Sequence, residues 1–201
     1  MAVFGLTGNL GSGKSTVLKL LKNKGALVFD ADKKIHQYYR QKNGVIFKKI
    51  VVEFPQVLKQ GIISRKKLGA IVFSDHTKLK KLEEIVHPAV IKDMRGWVKS
   101  ARNKKGIYVA EVPLLFEKKL KSCFDGVILV LVKRDILIER IVKKYRFSKN
   151  QARSRLSLYI AIRKKIRGSN FVVNNSKDFK TLNKEVDLLW KRIKQNQKAR
   201  R

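Results

Sequence analysis

The residues best suited to do chemistry lie in one glycine-rich segment near the start of the chain, Gly8-Asn9-Leu10-Gly11-Ser12-Gly13-Lys14-Ser15. The segment fits the pattern G-x-x-x-x-G-K-[ST], whose successive backbone N–H groups can surround phosphate groups. Lys14 can reach the β- and γ-phosphates, and the Ser15 hydroxyl can ligate Mg²⁺. Because the segment follows a predicted strand and opens a predicted helix, an ordinary glycine-rich turn is the weaker interpretation. The segment therefore predicts that the chain binds a nucleoside triphosphate.

Three acidic residues at predicted strand ends form the second candidate group. Asp30 and Asp32 follow the second predicted strand, and Glu111 ends the third. Ligands of an open α/β sheet bind beyond the carboxyl ends of its strands, where a carboxylate can orient a hydroxyl acceptor and take its proton. We favour Asp32 for that role and expect Glu111 to act on Mg²⁺ through water. Asp30 is equally suited to cap the following helix.

The sequence disfavours a GTPase. Asp93-Met94-Arg95-Gly96 fits the D-x-x-G string of GTPases but lies in a predicted helix, and Asn183-Lys184-Glu185-Val186-Asp187 misses N-K-x-D by one residue. Transfer of a phosphoryl group to a hydroxyl acceptor suits carboxylates beside a phosphate-binding loop better.

The elements that must position these residues follow from the apolar runs. Five short β-rich segments predict a parallel sheet covered on both faces, because their apolar residues are nearly continuous. They are Ala2–Thr7, Ala26–Phe29, Gly106–Val112, Gly126–Val132 and, more weakly, Phe171–Val173. A helix is predicted over Lys14–Lys24, where Gly25 supplies a C-terminal cap, so Ala2–Phe29 forms a βαβ unit.

Helical patterns dominate the long stretch after Asp32, which predicts a helical insertion on the sheet. Five segments there have helical spacing of apolar residues, punctuated by Gly44, Pro55, Gly61 and Pro88. They are Lys33–Gln41, Val45–Phe54, Arg65–Val72, Thr77–Val86 and Ala89–Ala101. A further helical stretch covers Asp135–Ile166. The last helix, near Lys180–Gln195, is expected to run into a frayed basic tail.

Composition bounds the class of protein. In 201 residues, 48 Lys+Arg outweigh 15 Asp+Glu, which gives a net charge of +33, and 44% of the residues are hydrophobic. This length and hydrophobic content predict one globular domain rather than a disordered chain. The basic residues are spread along the whole chain without interleaved aromatic side chains. Solvated faces therefore explain them better than a specific nucleic-acid partner.

Other features of the sequence favour a cytoplasmic protein. The longest apolar run, within Val127–Val132, is far shorter than the roughly 20 residues of a membrane span. The N-terminal residues lack the basic stretch and apolar region of a secretory signal. The lone cysteine, Cys123, excludes an internal disulfide.

Together these motifs resemble the dephospho-CoA kinase family over nearly the whole chain. The segment Gly5–Thr16 is similar to the opening signature of that family, and Asp30-Ala31-Asp32 follows at the family's distance. Further along, the matching positions are His87-Pro88, Val112–Glu117, Glu139-Arg140, Arg155 and Asn175. Each piece alone is a weak signal, but the combination is specific.

The resemblance implies a three-layer α/β/α P-loop NTPase fold with a five-stranded parallel sheet, a helical acceptor-binding insertion and a helical lid. It implies a core at residues 1–32, 102–133 and 168–190, an acceptor subdomain at 33–101, a lid at 134–167 and a basic tail at 191–201. The implied reaction transfers the γ-phosphate of ATP, with Mg²⁺, to the ribose 3′-hydroxyl of dephospho-CoA. That reaction is the last step of coenzyme A synthesis.

The resemblance also implies roles for individual residues. Asp32 would be the catalytic base, Lys14 would contact the γ-phosphate, and Arg140 would stabilise the transferred charge from the lid. The ATP-binding residues would be Asn9, Leu10, Gly11, Ser12, Gly13, Lys14, Ser15, Thr16 and Asn175. The substrate-binding residues would be Thr7, Asp32, His87, Pro113, Leu114 and Leu115, and Mg²⁺ would be held by Ser15 and Glu111.

The chain departs from the family pattern at a few positions. Asn9 and Leu10 replace the commoner Gly-Ile pair, Lys144 a second lid arginine, Tyr159 a glutamine and Asn170 an aspartate. Two other classes stay open: a kinase of a nucleoside monophosphate or small alcohol, and a nucleic-acid-stimulated ATPase. We expect a monomer or a weak oligomer.

Overall fold

The computed structural model describes residues 1–199, which form seven strands and nine α-helices. The strands are β1 (Ala2–Thr7), β2 (Leu27–Phe29), β3 (Leu58–Lys59), β4 (Ile62–Ile63), β5 (Ile107–Glu111), β6 (Gly126–Leu131) and β7 (Phe171–Asn174). The α-helices are α1 (Lys14–Asn23), α2 (Ala31–Tyr38), α3 (Val45–Glu53), α4 (Arg65–Ser74), α5 (His76–Ala101), α6 (Arg134–Tyr145), α7 (Lys149–Ser157), α8 (Ile162–Gly168) and α9 (Phe179–Ala199).

Five of the strands form the parallel sheet that the apolar runs predict, in the order β2-β5-β1-β6-β7. Every residue of β1 and β5 is buried, as expected of strands covered on both faces. The predicted strand ends agree with the observed ones to within one residue. In the register between β1 and β5, Leu6 lies beside Glu111, so the end of β5 adjoins the start of the glycine-rich loop.

Helices α1 and α9 pack together with the sheet in one buried cluster, which includes Leu21 of α1 and Ile193 of α9. The frayed tail predicted for 191–201 is therefore wrong over 191–199. Helix α9 continues to Ala199, Ile193 is 0% exposed, and Gln197 Nε2 donates to the Gly106 carbonyl at 3.1 Å. Burial of one apolar face holds this end of the helix in place although its other face is basic. Arg200 and Arg201 lie outside the described residues.

The chain divides into two compact units. One consists of Met1–Phe29 and the chain from Val98 onward, and the other of Asp30–Trp97. The second unit has its own core, built from Phe47, Ile50, Phe54, Val57, Ile63, Leu68, Val72 and Val86. The assignment of an acceptor subdomain at 33–101 and a lid at 134–167 stays a prediction. No helix within residues 1–199 is long and apolar enough to cross a membrane.

Pro88 lies inside a helix rather than between two. The two helices predicted over Thr77–Val86 and Ala89–Ala101 are the single helix α5, which corrects the sequence interpretation. A proline within a helix costs about 3 kcal/mol because it removes a hydrogen bond and crowds the preceding turn. Burial of Val86, with Leu82 and Val90 packed beside it, opposes that cost on both sides of the proline.

A short hairpin stands where the sequence predicts only helices and breaks. Strands β3 and β4 pair antiparallel, Leu58 with Ile63 and Lys59 with Ile62. Gln60 and Gly61 between them have φ values of 51° and 73°, the positive pair that a tight two-residue hairpin turn requires. Two residues per strand are too few to produce an alternating pattern in the sequence.

Candidate active site

The phosphate loop, residues 8–15, joins the end of β1 to the start of α1. Gly11 and Gly13 have φ values of 78° and 87°, a region that side chains make costly. A Cβ atom at Gly13 would lie 2.3 Å from Asn175 Nδ2, and one at Gly11 would lie 3.0 Å from Ile141 Cγ1. Close packing and backbone conformation therefore both require glycine at these two positions.

The loop and the start of α1 present hydrogen-bond donors suited to an anion. Within residues 1–199, no side chain caps the N-terminus of α1, whose first turn has no acidic residue. The Ser12 hydroxyl is buried and makes no hydrogen bond with any residue from 1 to 199. Lys14 Nζ lies across the loop, 3.0 Å from the Gly8 carbonyl and 3.2 Å from the Asn9 carbonyl. Since a helix N-terminus carries partial positive charge, the arrangement fits an anion such as a phosphate group.

Asn175 supports the loop from the far end of the chain. It follows β7, is 7% exposed, and its backbone N–H donates to the Leu131 carbonyl at 2.8 Å. Its side-chain Nδ2 donates to the Ser12 carbonyl, also at 2.8 Å. Asn175 thus fixes the middle of the loop through the backbone of Ser12.

A cavity of about 550 Å³ opens beside the phosphate loop. Asn9 and Ser12 form its loop side. Its other walls come from Val130–Arg134 with Leu137, from residues 156, 157 and 159–162, and from Asn174 and Ser176. The lining combines apolar side chains with backbone and hydroxyl groups, which is typical of sites for small organic ligands.

Helices α6 and α7 share a core that reaches into the phosphate loop. The buried members are Val132, Leu137, Ile138, Ile141, Phe147, Ala152 and Leu156, and Leu10 packs against them. The Leu10 side chain therefore anchors the loop on α6 and α7. Arg140 is half-buried on α6, next to Ile141, and Arg155 of α7 lies over the Phe147 ring with its Cζ 5.9 Å from the ring centroid.

The sequence-predicted residues at and after the ends of β1 and β5 differ in accessibility. Glu111 is 2% exposed, and Thr7 and Leu115 are fully buried, whereas Pro113 and Leu114 are partly exposed. The Thr7 hydroxyl donates to the Pro113 carbonyl at 3.3 Å, so these two residues brace each other. The Leu115 side chain fills the space over Gly5, where a Cβ atom would be 2.4 Å from Leu115 Cδ1.

The oxygen ligands near the loop suit a hard divalent cation. Ser15 offers an exposed hydroxyl and Glu111 a carboxylate, the ligand types that Mg²⁺ prefers. Within residues 1–199, no three His, Cys, Asp or Glu side chains cluster as a metal cage. Mg²⁺ usually keeps several waters and is bound by one or two protein oxygens together with substrate phosphates, so the donor set fits it.

In the second unit, Asp30 and Asp32 have different environments. Asp30 is the N-cap of α2, and its carboxylate accepts from the Lys33 N–H at 2.9 Å. Asp32 is exposed in the first turn of α2 and makes no hydrogen bond or ion pair with the described part of the chain. His87, half-buried on α5, directly precedes Pro88.

Helix α2, which carries Asp32, is tied to α5 through one carboxylate. Tyr38 Oη donates to Asp93 Oδ2 at 2.8 Å, and Lys34 Nζ lies 2.9 Å from the same oxygen. Burial and the hydrogen bond to Asp93 raise the pKa of Tyr38. Partial burial of Asp93 is outweighed by its bonds to Lys34 and Tyr38, so its pKa lies below its usual value. Asp93, the first residue of the D-x-x-G string, thus has a structural role in joining α2 to α5.

The sequence did not single out a buried ion pair beside the loop. Lys165 of α8 is 0% exposed, and its Nζ lies 2.8 Å from Glu117 Oε1. The basic residues of 133–167 were expected to face solvent for the most part, and nothing in their composition marks this lysine. The available signal is its position three residues after Ile162, on the same face of a short helix.

The fold and the loop define a protein of the P-loop kinase class, in which a parallel sheet carries a phosphate-binding loop between its first strand and first helix. The sequence model of the dephospho-CoA kinase family matches residues 2–181. The chain belongs to that family, whose members catalyse the last step of coenzyme A biosynthesis.

Individual relatives agree with this assignment. The chain is 35% identical over 191 residues to a dephospho-CoA kinase of Helicobacter pylori, covering 94% of this chain and 95% of the relative. It is similar to the solved dephospho-CoA kinase of Campylobacter jejuni, with a TM-score of 0.67, 25% identity, and coverage of 97% and 98% of the two chains. A shikimate kinase of Bacteroides thetaiotaomicron, 11% identical with a TM-score of 0.54 over 96% and 98% of the chains, shares the fold.

Proposed function

We propose that this chain transfers the γ-phosphate of ATP to the ribose 3′-hydroxyl of dephospho-CoA. The observation that carries the proposal is the phosphate loop. It combines the N-terminus of α1, Lys14 and the positive φ values of Gly11 and Gly13 with a buried Ser12 hydroxyl that makes no hydrogen bond to any residue from 1 to 199. Membership of the dephospho-CoA kinase family indicates that dephospho-CoA is the acceptor. Oxygen of the 3′-hydroxyl forms the new bond to the γ-phosphorus, the bond to the bridging β–γ oxygen breaks, and ADP leaves.

The residues from Asn9 to Thr16 and Asn175 are assigned to ATP. The backbone of the loop and the start of α1 bind the phosphates, and Lys14 contacts the γ-phosphate. The cavity of about 550 Å³ beside Ser12 takes the adenosine. Leu10 contributes by holding the loop on α6 and α7, and Asn175 by holding Ser12. Arg140 on α6 stabilises the charge of the transferring group.

Mg²⁺ is assigned to the Ser15 hydroxyl and to Glu111, which acts on it through water. The ion, when bound, neutralises charge on the β- and γ-phosphate oxygens. Glu111 is 2% exposed, and the low dielectric around a buried carboxylate strengthens its attraction to a cation held at the loop.

Asp32 is assigned as the general base that orients the acceptor hydroxyl and accepts its proton. Its carboxylate is exposed and makes no hydrogen bond or ion pair with any residue from 1 to 199, whereas the Asp30 carboxylate already caps α2. His87, Pro113 and Leu114 are assigned to contacts with the acceptor. Thr7 and Leu115 are buried, so they contribute to acceptor binding indirectly, by supporting Pro113 and the residues around it.

The wider setting is part of the same proposal. We assign the protein to the cytoplasm and to a monomeric or weakly oligomeric state, with no specific nucleic-acid partner. The basic segment around Ile193 packs the apolar face of α9 into the main core, so packing accounts for the position of this segment without a nucleic-acid partner.

A panel of acceptors tests the proposal. Purified protein is incubated with ATP and Mg²⁺ alone and with dephospho-CoA, AMP, shikimate, DNA or RNA, and ADP release is measured. The proposal expects release with dephospho-CoA only, and none from a Lys14→Ala variant that is folded by circular dichroism. Turnover with AMP or shikimate at a higher kcat/KM, or stimulation by nucleic acid alone, overturns it.

A further inference from the structure

Lys165 is a charged side chain without solvent contact next to the phosphate loop. It is 0% exposed, and its Nζ lies 2.8 Å from Glu117 Oε1, 3.0 Å from Asn9 Oδ1 and 4.8 Å from the centroid of the Tyr159 ring. A buried lysine is costly unless its charge is paired and its donors are used. These contacts satisfy Lys165, and two of the contacting residues, Asn9 and Tyr159, also line the cavity assigned to the nucleotide.

Glu117 holds Lys165 in place. The same Oε1 oxygen also accepts from the Ile160 N–H at 3.2 Å, so the carboxylate ties the segment after β5 to the connection between α7 and α8. The Glu117 side chain is 14% exposed, so solvent screens the attraction between Glu117 and Lys165 only weakly. The ion pair with Glu117 therefore fixes the position of the Lys165 ammonium group.

Asn9 connects Lys165 to the working part of the loop. While the Asn9 side chain accepts from Lys165, the Asn9 carbonyl accepts from the Ser12 N–H at 3.1 Å and from Lys14 Nζ at 3.2 Å. One residue thus joins the buried lysine to the turn that closes the loop and to the lysine that faces the phosphates. The glycine that the dephospho-CoA kinase family more often has at position 9 offers no side chain for this contact.

We infer that Lys165 is a positioning residue for nucleotide binding, which acts through the Asn9 side chain to hold the phosphate loop in its anion-binding conformation. The inference rests on the proposed function only in taking ATP as the ligand. A purely structural role would confine the effect of Lys165 to the ion pair with Glu117 and to the free energy of unfolding. A positioning role adds a coupling between Lys165 and Asn9 that is visible in ATP affinity.

A double-mutant cycle separates the two roles. The Kd of ATP is measured by calorimetry, without acceptor, for Lys165→Met, Asn9→Ala, the double variant and the wild-type protein. Lys164→Met, at the exposed neighbouring position, is the matched control. Each single change is expected to weaken ATP binding about tenfold, and the double change by no more than either, because residues of one network are not additive. Lys164→Met is expected to leave the Kd unchanged.

The midpoint of thermal unfolding is the second readout. Lys165→Met leaves Glu117 buried without its cation and lowers Tm, whereas Asn9→Ala keeps the ion pair and leaves Tm near the wild-type value. Should Lys165→Met fail to fold, Glu117→Gln combined with Lys165→Met removes both charges and takes its place in the cycle. Additive effects on the Kd, or an Asn9→Ala variant that binds ATP as tightly as wild type, overturn the inference.

The outcome is separable from that of the proposed function. If wild-type protein binds ATP but does not phosphorylate dephospho-CoA, the assignment of the acceptor fails and the binding cycle still decides the role of Lys165. If wild type phosphorylates dephospho-CoA and the cycle is additive, only the role of Lys165 fails.

Discussion

The side chain of Asn175 donates a hydrogen bond of 2.8 Å to the carbonyl of Ser12, across 163 residues of sequence. Both residues are buried, at 7% and 1% exposure. The same Asn175 Nδ2 occupies the space where a side chain at position 13 would begin. One amide after the last strand of the sheet therefore supports the phosphate loop and leaves no room for a side chain at position 13.

Substitution of Asn175 by alanine is expected to weaken ATP binding. The change leaves the buried Ser12 carbonyl without its donor, and an unsatisfied buried group costs about 1–3 kcal/mol. The corresponding rise in the Kd of ATP is about tenfold, measured by calorimetry. Asn103→Ala, on an exposed turn, is the matched control. Equal ATP affinity in Asn175→Ala and wild type would show that the hydrogen bond does not hold the loop.

Alanine at position 13 is expected to abolish ATP binding, because it combines a positive φ with a collision against Asn175. Gly25→Ala isolates the first effect: Gly25 has a φ of 100°, but nothing lies within 4 Å of an added Cβ atom. That control is expected to lose about 1–2 kcal/mol of stability from backbone strain and to bind ATP normally. The test compares Tm and ATP affinity for both variants; loss of ATP binding in Gly25→Ala as well would contradict the explanation.

The two aspartates of α2 are expected to separate activity from stability. Asp32→Asn keeps the size of the side chain but cannot take a proton, so kcat falls by about 100-fold or more while ATP still binds. Asp30→Asn retains a good N-cap and is expected to change kcat little, with at most a small drop in Tm. Steady-state kinetics and thermal unfolding of both variants check the assignment. A larger kcat loss in Asp30→Asn would reverse the roles.

The C-terminal end of α9 is expected to matter for folding rather than for catalysis. Ile193→Ala removes a fully buried side chain from the main core and should cost about 2–5 kcal/mol, seen in chemical denaturation. Lys194→Ala, at the adjacent exposed position, should change neither stability nor kcat measurably. A stability loss in Lys194→Ala equal to that in Ile193→Ala would mean that charge, not burial, secures this end.

The parallel sheet and the phosphate loop could be predicted from the sequence because their signals are local. A continuous apolar run specifies a buried strand, and the spacing of Gly8, Gly13 and Lys14 specifies the loop. The register between Leu6 and Glu111 then follows from strand pairing. Local signals of this kind predict where strands and loops begin and end, but not which distant residues they contact.

The features that were missed depend on tertiary contacts. Pro88 predicts a break, but Val86 packs in a core with the distant Phe47 and Leu68, and α5 continues through the proline. The basic residues near Ile193 predict a loose end, but the apolar face of α9 is buried. Lys165 reads as one more solvated cation until the fold brings Glu117 and Asn9 around it. In each case the partner that decides the outcome lies far away in sequence.

The position of the transferred phosphate tests the central claim most directly. Protein, Mg²⁺, dephospho-CoA and ATP labelled with ¹⁸O in the γ-phosphate are allowed to react, and the product is examined by ³¹P NMR and mass spectrometry. The account predicts a single new phosphomonoester on the ribose 3′-oxygen, carrying three labelled oxygens, with one ADP formed for each. Phosphate on any other oxygen of the acceptor, or ADP formed with free phosphate and no modified acceptor, would contradict it.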